Sequence, residues 1–106
     1  MSEALFKIEF YVPDSHLQEV KTAMFEAGAG RVGDYDCCAW QTVGQGQYRP
    51  LQGSNPFHGK IGQLEQLEEY KVEMVCAPEF LEAVIIAMKK AHPYEEVAYC
   101  VIRTVS

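Results

Sequence analysis

The order of two hydrophobic periodicities constrains the fold of this chain more than any other feature. Apolar and polar residues alternate over 5–12 and again over 70–76, which is the pattern of half-buried strands. Each of these segments is followed by apolar residues at helical spacing, as at Leu81, Ile85 and Met88. The predicted strands are 5–12, 35–43, 70–76 and 96–105, and the predicted helices are 15–27 and 78–92.

This order predicts an α+β fold, the ferredoxin-like βαββαβ sandwich. Two right-handed crossovers would place both helices on one face of the sheet. The length of 106 residues favours a single domain over 1–106. Residues 97–102 are apolar on both faces of the last strand, so we expect the open face of the sheet to meet another subunit there.

Short-range signals set the expected ends of the helices. Ser15 and Gln18 have the spacing of a capping box, which predicts a helix that begins at Ser15. Pro93 disfavours helical geometry at His92 and therefore predicts the end of the second helix.

Charge and composition narrow the class of partner. The chain has 9 basic and 15 acidic residues, which makes nucleic acid or an anionic membrane a poor partner. No apolar run reaches the ~20 residues of a membrane span, and charges interrupt the N-terminus early, so a cytoplasmic protein is expected. The four cysteines form no C-x-x-C pair and are predicted to be small buried hydrophobes.

A turn-rich segment over 41–62 interrupts the periodic pattern. Glycines recur in it, and we expect a long arm between the second and third strands. Long loops in small domains are often functional, and Arg49 offers a forked donor for a carboxylate or phosphate. The glycines match neither a Rossmann nor a P-loop pattern, so no nucleotide loop is predicted. The alternative interpretation is a structural arm that packs on a neighbouring subunit.

The run from His92 to Glu96 joins an imidazole, a phenol and two carboxylates at a helix-to-strand junction. Imidazole and carboxylate can bind a divalent metal or exchange protons near neutral pH. In an extended segment Glu95 and Glu96 would point to opposite faces, so one site would use only one of them. The alternative is a helix-ending histidine followed by solvated acids. Because His92 lies at a junction, we expect H92A to leave folding largely intact and to reduce any metal or ligand binding at this site.

Two stretches of the sequence carry a family resemblance. G-Q-Y-R-P-L-x-G-x-N-P-F-x-G over 46–59 and A-H-P-Y-E-E-V-A-Y over 91–99 resemble the inserted domain of the Nif-three-like family. The second stretch also resembles the CutA proteins. The resemblance implies that this chain is a stand-alone version of that insert and has a PII-like fold. It also implies that the chain assembles as a trimer. That family's dinuclear metal ligands lie in flanking halves outside such an insert, so its hydrolase activity is not implied.

These observations predict a non-catalytic, self-associating regulatory module that binds a small ligand or a divalent metal between subunits. The expected ligand-binding residues are Tyr48, Arg49, His58, His92, Tyr94 and Glu95. A metal would use His58, His92 and Glu95. One alternative is a structural domain that assembles another protein. Another is a small metal-dependent hydrolase-like enzyme with His92 as general base, oriented by Glu95 or Glu96, and Arg49 holding an anionic substrate.

Overall fold

A computed structural model describes residues 4–106 and shows one antiparallel sheet with two helices. The strands are β1 (Phe6–Val12), β2 (Trp40–Tyr48), β3 (Glu65–Cys76) and β4 (Tyr99–Arg103), and the helices are α1 (Leu17–Glu26) and α2 (Leu81–Ala91). The sheet order is β2-β3-β1-β4, with every neighbouring pair antiparallel. The predicted α+β, ferredoxin-like βαββαβ architecture is therefore confirmed.

The core lies between the sheet and both helices. The alternation of β1 turns Ile8, Phe10 and Val12 toward the helices, and the register with β3 places Met74 and Val72 beside them. The helices contribute buried residues at helical spacing, which are Leu17, Val20 and Met24 from α1 and Val84 and Met88 from α2.

The start of α1 differs from the prediction. A 3₁₀ turn, Asp14–His16, precedes the helix, and no side chain caps either element. The Ser15 Oγ atom instead lies 2.8 Å from Nδ1 of His16, so the expected capping box is not formed. Gly28 follows the helix with φ of +120°, where a Cβ atom would come within 2.8 Å of the Phe80 ring.

Strand β2 lies further along the chain than the sequence predicted. It begins at Trp40, and Tyr35 forms only an isolated bridge with Val32. The strand continues through Gly44 and Gly46 because each residue pairs with the long strand β3. Cross-strand pairing therefore overrides the poor strand preference of glycine.

The paired ends of β2 and β3 form the arm, defined here as residues 44–69. Strand β1 ends at Val12, opposite Tyr70, so the pairs from Gly44–Glu69 to Tyr48–Glu65 extend beyond it. The arm accounts for the elongated outline of 51 × 24 × 23 Å. Its irregular part, 49–64, is the arm loop, which returns to the body of the domain.

The open face of the sheet is more polar than predicted. Lys7 lies within ion-pair distance of Glu9 and Glu73 at the centre of this face, and Lys71 approaches Glu9 at 3.8 Å. Ile102 is exposed on this face. Val97 and Val101 lie on the opposite face of the segment and pack against the core. The expected apolar surface over 97–102 is thus confined to the β4 edge.

The burial of the cysteines differs from the prediction. Only Cys76 is buried, whereas Cys37 and Cys100 are exposed and Cys38 is half-buried, so the expectation of four buried thiols is wrong.

Neither helix described over 4–106 has the length and apolar character needed to cross a lipid bilayer.

Candidate functional site

A cavity of about 430 Å³ lies at the base of the arm, and we call it the arm cleft. The arm loop forms one wall, the open face of the sheet another, and the segment that links α2 to β4 the third. The sheet contributes Tyr11, Tyr48 and Glu69, and the loop contributes Arg49 and Phe57 among others. Three segments that are distant in sequence therefore meet around one space.

Four of the six predicted ligand-binding residues line this cleft: Tyr48, Arg49, Tyr94 and Glu95. His58 lies beside it, because its carbonyl oxygen accepts a 2.7 Å hydrogen bond from the Tyr48 hydroxyl. The His58 ring stands 6.5 Å from that of Tyr94, centroid to centroid. The residues predicted for the site therefore account for four of the fourteen residues that line this cavity, although the two motifs lie some forty residues apart.

Tyr94 is held in place by a carboxylate. Its hydroxyl donates a 2.8 Å hydrogen bond to Oε2 of Glu69, and its ring centroid lies 6.2 Å from that of Tyr48. Burial, followed by the bond to Glu69, raises the pKa of Tyr94 far above its ordinary value. The phenol therefore remains a hydrogen-bond donor at every physiological pH.

Glu95 connects the arm loop to the rest of the domain. Its Oε2 atom accepts a 2.6 Å hydrogen bond from the backbone N–H of Asn55. The ring of Phe57 adds an edge-on contact with His16, at 5.5 Å between centroids. Glu96 lines the cleft as well, contrary to the expectation of opposite faces, because 93–96 forms bends and β4 begins only at Tyr99.

His92 has a structural environment that the sequence did not reveal. The side chain is only 6% exposed, and its Nε2–H donates to the Tyr11 carbonyl at 2.7 Å. Its Nδ1 atom accepts a 3.1 Å hydrogen bond from the N–H of Tyr94, which assigns the Nε2–H tautomer. Burial lowers the pKa of this imidazole, so the neutral form is favoured. A buried imidazole with two hydrogen bonds does not support the expectation that H92A leaves folding largely intact.

The predicted metal ligands are not gathered within one chain. Over residues 4–106, no three His, Cys, Asp or Glu side chains are placed to hold a metal ion. Both ring nitrogens of His92 already have hydrogen-bond partners, and one carboxylate oxygen of Glu95 is bonded to Asn55. A metal at His58, His92 and Glu95 would have to break these bonds first.

Sequence reasoning missed Glu69 and the residue that makes room for it. A Cβ atom built on Gly46 would overlap the carboxyl group of Glu69, so a side chain at position 46 would displace it. Gly44, two residues earlier on the same face of β2, has open space above it. Gly46 therefore positions Glu69, and through it Tyr94. A glycine inside a strand is the only sequence signal for this arrangement.

Comparison with known proteins places the chain within longer relatives. It is 44% identical over 98 residues to the GTP cyclohydrolase 1 type 2 homolog of Bacillus subtilis, and 46% identical over 96 residues to that of Mycobacterium leprae. The matches cover 92% and 91% of this chain but only 26% and 25% of those proteins. No family model matches the chain.

Solved structures give the same result. A Bacillus cereus protein described as related to NIF3 matches the whole chain with a TM-score of 0.85 and 38% identity, over 27% of its own length. CutA from Xylella fastidiosa matches 98% of this chain and 86% of its own with a TM-score of 0.71, but at 16% identity, which shows the fold alone. The chain is therefore homologous to one segment of the NIF3-related proteins, about a quarter of their length, and it has the CutA-like fold.

Proposed function

We propose that this chain is a self-associating regulatory module that binds a small molecule in the arm cleft and does not catalyse a reaction. The observation that carries the proposal is the cleft itself, in which Tyr48 and Arg49 from one motif meet Tyr94 and Glu95 from the other. Its volume of about 430 Å³ lies in the range of small-molecule sites. Aromatic walls with a few polar groups are also typical of such sites.

The state of His92 favours binding over catalysis. A general base needs a free ring nitrogen within reach of substrate, and both nitrogens of His92 are bonded to backbone groups. The same bonds disfavour a metal at this histidine. An organic ligand in the arm cleft requires neither bond to break, because His92 is not part of the lining.

Exposed apolar side chains along the arm and beside it support self-association. Trp40, at the start of β2, is 68% exposed, and Leu51, in the arm loop, is 68% exposed; exposed large apolar side chains often mark contact surfaces. The exposed large apolar residues of β2 and the arm loop are Trp40, Val43, Leu51, Phe57, Ile61 and Leu64. A projecting hairpin with this surface is suited to clasp a second copy, and the resemblance to CutA makes a trimer the favoured assembly.

The proposal is tested by locating where small molecules bind. Uniformly ¹⁵N-labelled protein is titrated with a mixed set of aromatic fragments and followed by ¹H–¹⁵N correlation spectra. We expect saturable shifts at the amides of Tyr48, Arg49, Tyr94 and Glu95. Y94A should abolish them, whereas Y35A, at a tyrosine that is 76% exposed and does not line the cleft, should not. Fragments that bind only elsewhere, or none that bind, would contradict the proposal.

A further inference from the structure

Four aromatic side chains stand in the walls of the arm cleft. Tyr11, Tyr48, Phe57 and Tyr94 all line it. The Tyr94 ring centroid lies 6.2 Å from that of Tyr48 and 6.3 Å from that of Phe57, so these three rings pack together as one aromatic cluster along the cleft. Aromatic faces carry partial negative charge and attract cations that approach them within about 6 Å.

The charged groups of the lining are mostly acidic. Glu69, Glu95 and Glu96 contribute carboxylates, and Arg49 is the single cation among the described lining residues. Glu69 is half-buried, whereas Arg49 is exposed. The inner part of the cleft therefore carries a carboxylate, and the guanidinium is at its rim.

These carboxylates differ from those elsewhere on the same sheet face. Glu9 and Glu73 at the centre of the sheet form ion pairs with Lys7, and Lys71 also approaches Glu9. Glu69 and Glu95 are bonded to neutral donors, the Tyr94 hydroxyl and the Asn55 N–H, and within residues 4–106 neither forms an ion pair. Their negative charge therefore remains uncompensated beside aromatic rings in a partly enclosed space.

We infer that the arm cleft takes an organic cation, an ammonium or guanidinium group carried on an apolar or aromatic body. The cation would contact the faces of Tyr48 and Tyr94 and pair with the carboxylate of Glu69, while the apolar body would lie against Phe57. This inference rests on the proposed function, because it assigns the ligand class of the same cleft.

The test uses three probes of similar shape and different charge. Benzyltrimethylammonium is the cation, benzyl alcohol the neutral compound and benzenesulfonate the anion, and each is titrated into the ¹⁵N-labelled chain of 106 residues. We expect the cation to bind most tightly and to shift the amides around Glu69 and Tyr94. E69Q should weaken its binding about three- to tenfold, since a partly buried charge partner is lost. E68Q is the matched control, because Glu68 is the neighbouring residue on the opposite face of β3 and is exposed.

Each other outcome counts against the inference in a distinguishable way. Preferential binding of benzenesulfonate in the cleft, or equal binding of benzyl alcohol, overturns the charge assignment but leaves the proposed binding function standing. Equal losses in E69Q and E68Q also overturn it. Absence of binding by all three probes overturns both proposals. If the spectrum of E69Q is not dispersed, E96Q, at an exposed residue of the cleft rim, replaces it. We expect E96Q to bind the cation more weakly, and an unchanged affinity would contradict the inference.

Discussion

At the scale of single residues, His92 joins three parts of the chain. Its two ring nitrogens bond to Tyr11 on β1 and to the N–H of Tyr94 beside the cleft. The imidazole therefore holds the segment that follows α2 against the end of β1. Tyr94 and Glu95 depend on this segment for their positions, so His92 supports the arm cleft without touching its contents.

Removal of the His92 ring should destabilise the fold. H92A leaves the Tyr11 carbonyl and the Tyr94 N–H without their partners at a partly buried position, which costs about 1–3 kcal/mol. Urea unfolding curves measure this change in the free energy of unfolding. H58A is the control, since the His58 ring forms no hydrogen bond within the described residues and should cost clearly less. Equal stability of H92A and the parent protein would contradict the structural role.

The same residue predicts a dependence of stability on pH. Burial lowers the pKa of His92 in the folded state from the ordinary value of 6.5, so the unfolded chain binds the proton more readily. The contribution of His92 to the free energy of unfolding is complete above the ordinary pKa. It is lost as pH falls from there toward the lowered pKa, and the free energy of unfolding then changes by at most ~1.4 kcal/mol per pH unit. Urea midpoints at about pH 7.5 and about pH 5.5 should show a larger loss for the parent protein than for H92Q. An identical loss in both proteins would exclude His92 as the source.

Gly46 and Gly44 form a matched pair for testing how the cleft is positioned. Neither has a positive φ, so alanine is tolerated by the backbone at both. G44A should be neutral or stabilise the protein by up to about 1 kcal/mol, because it reduces the freedom of the unfolded chain. G46A displaces Glu69 and breaks its bond to Tyr94, which should offset that gain by about 1 kcal/mol. Urea unfolding together with the amide shift of Tyr94 measures both effects, and indistinguishable variants would contradict the role of Gly46.

At the scale of elements, the arm is a regular hairpin with a loop that closes on itself. The N–H of Gly62 donates a 2.7 Å hydrogen bond to the carbonyl of Pro50, so the loop between them begins and ends at one place. The hairpin below this point depends on β2–β3 pairing, and the loop above it supplies Leu51 and Phe57 to the surface. The loop and the hairpin can therefore be altered separately.

Excision of 51–61, with an Asn-Gly turn in its place, should abolish self-association while the sheet remains folded. The change removes exposed apolar side chains from the arm and shortens its reach. Light-scattering mass should fall to that of one chain, with an unchanged far-ultraviolet circular dichroism spectrum. A full-length control with Leu51, Ile61 and Leu64 changed to serine separates apolar contact from loop length. An unaltered mass in the excision variant would reject the arm as the clasp.

The elements show how far the sequence alone could lead. Strand β1 and helix α2 were predicted because a single periodicity determines which of their faces is buried. The position of β2 was not predicted, because its glycines interrupt the alternation of apolar and polar residues. Only the pairing with β3 defines where this strand lies. Tyr94 and Glu95 were found from their motif, whereas Glu69 looks like any polar residue on an alternating strand. The burial of His92 depends on a carbonyl 81 positions away, which no local pattern reveals.

At the scale of the whole molecule, the proposals require one arrangement of copies. The arm must contact a neighbouring chain through exposed apolar residues outside the cleft lining, such as Ile61 and Leu64, while the cleft at its base stays accessible to a ligand. The elongated shape makes this possible, because the arm projects beyond β1 and the cleft lies at its base. Assembly alone, without a ligand, would instead fill the cleft with side chains of the neighbouring copy.

A crystal structure of the assembled protein, grown with benzyltrimethylammonium, tests this arrangement most directly. We predict that copies meet through their arms, that the cleft remains open, and that the probe occupies it with its ammonium group beside Tyr94 and Glu69. A cleft filled by residues of a neighbouring chain, with the probe excluded, would contradict the binding function and leave a purely structural module.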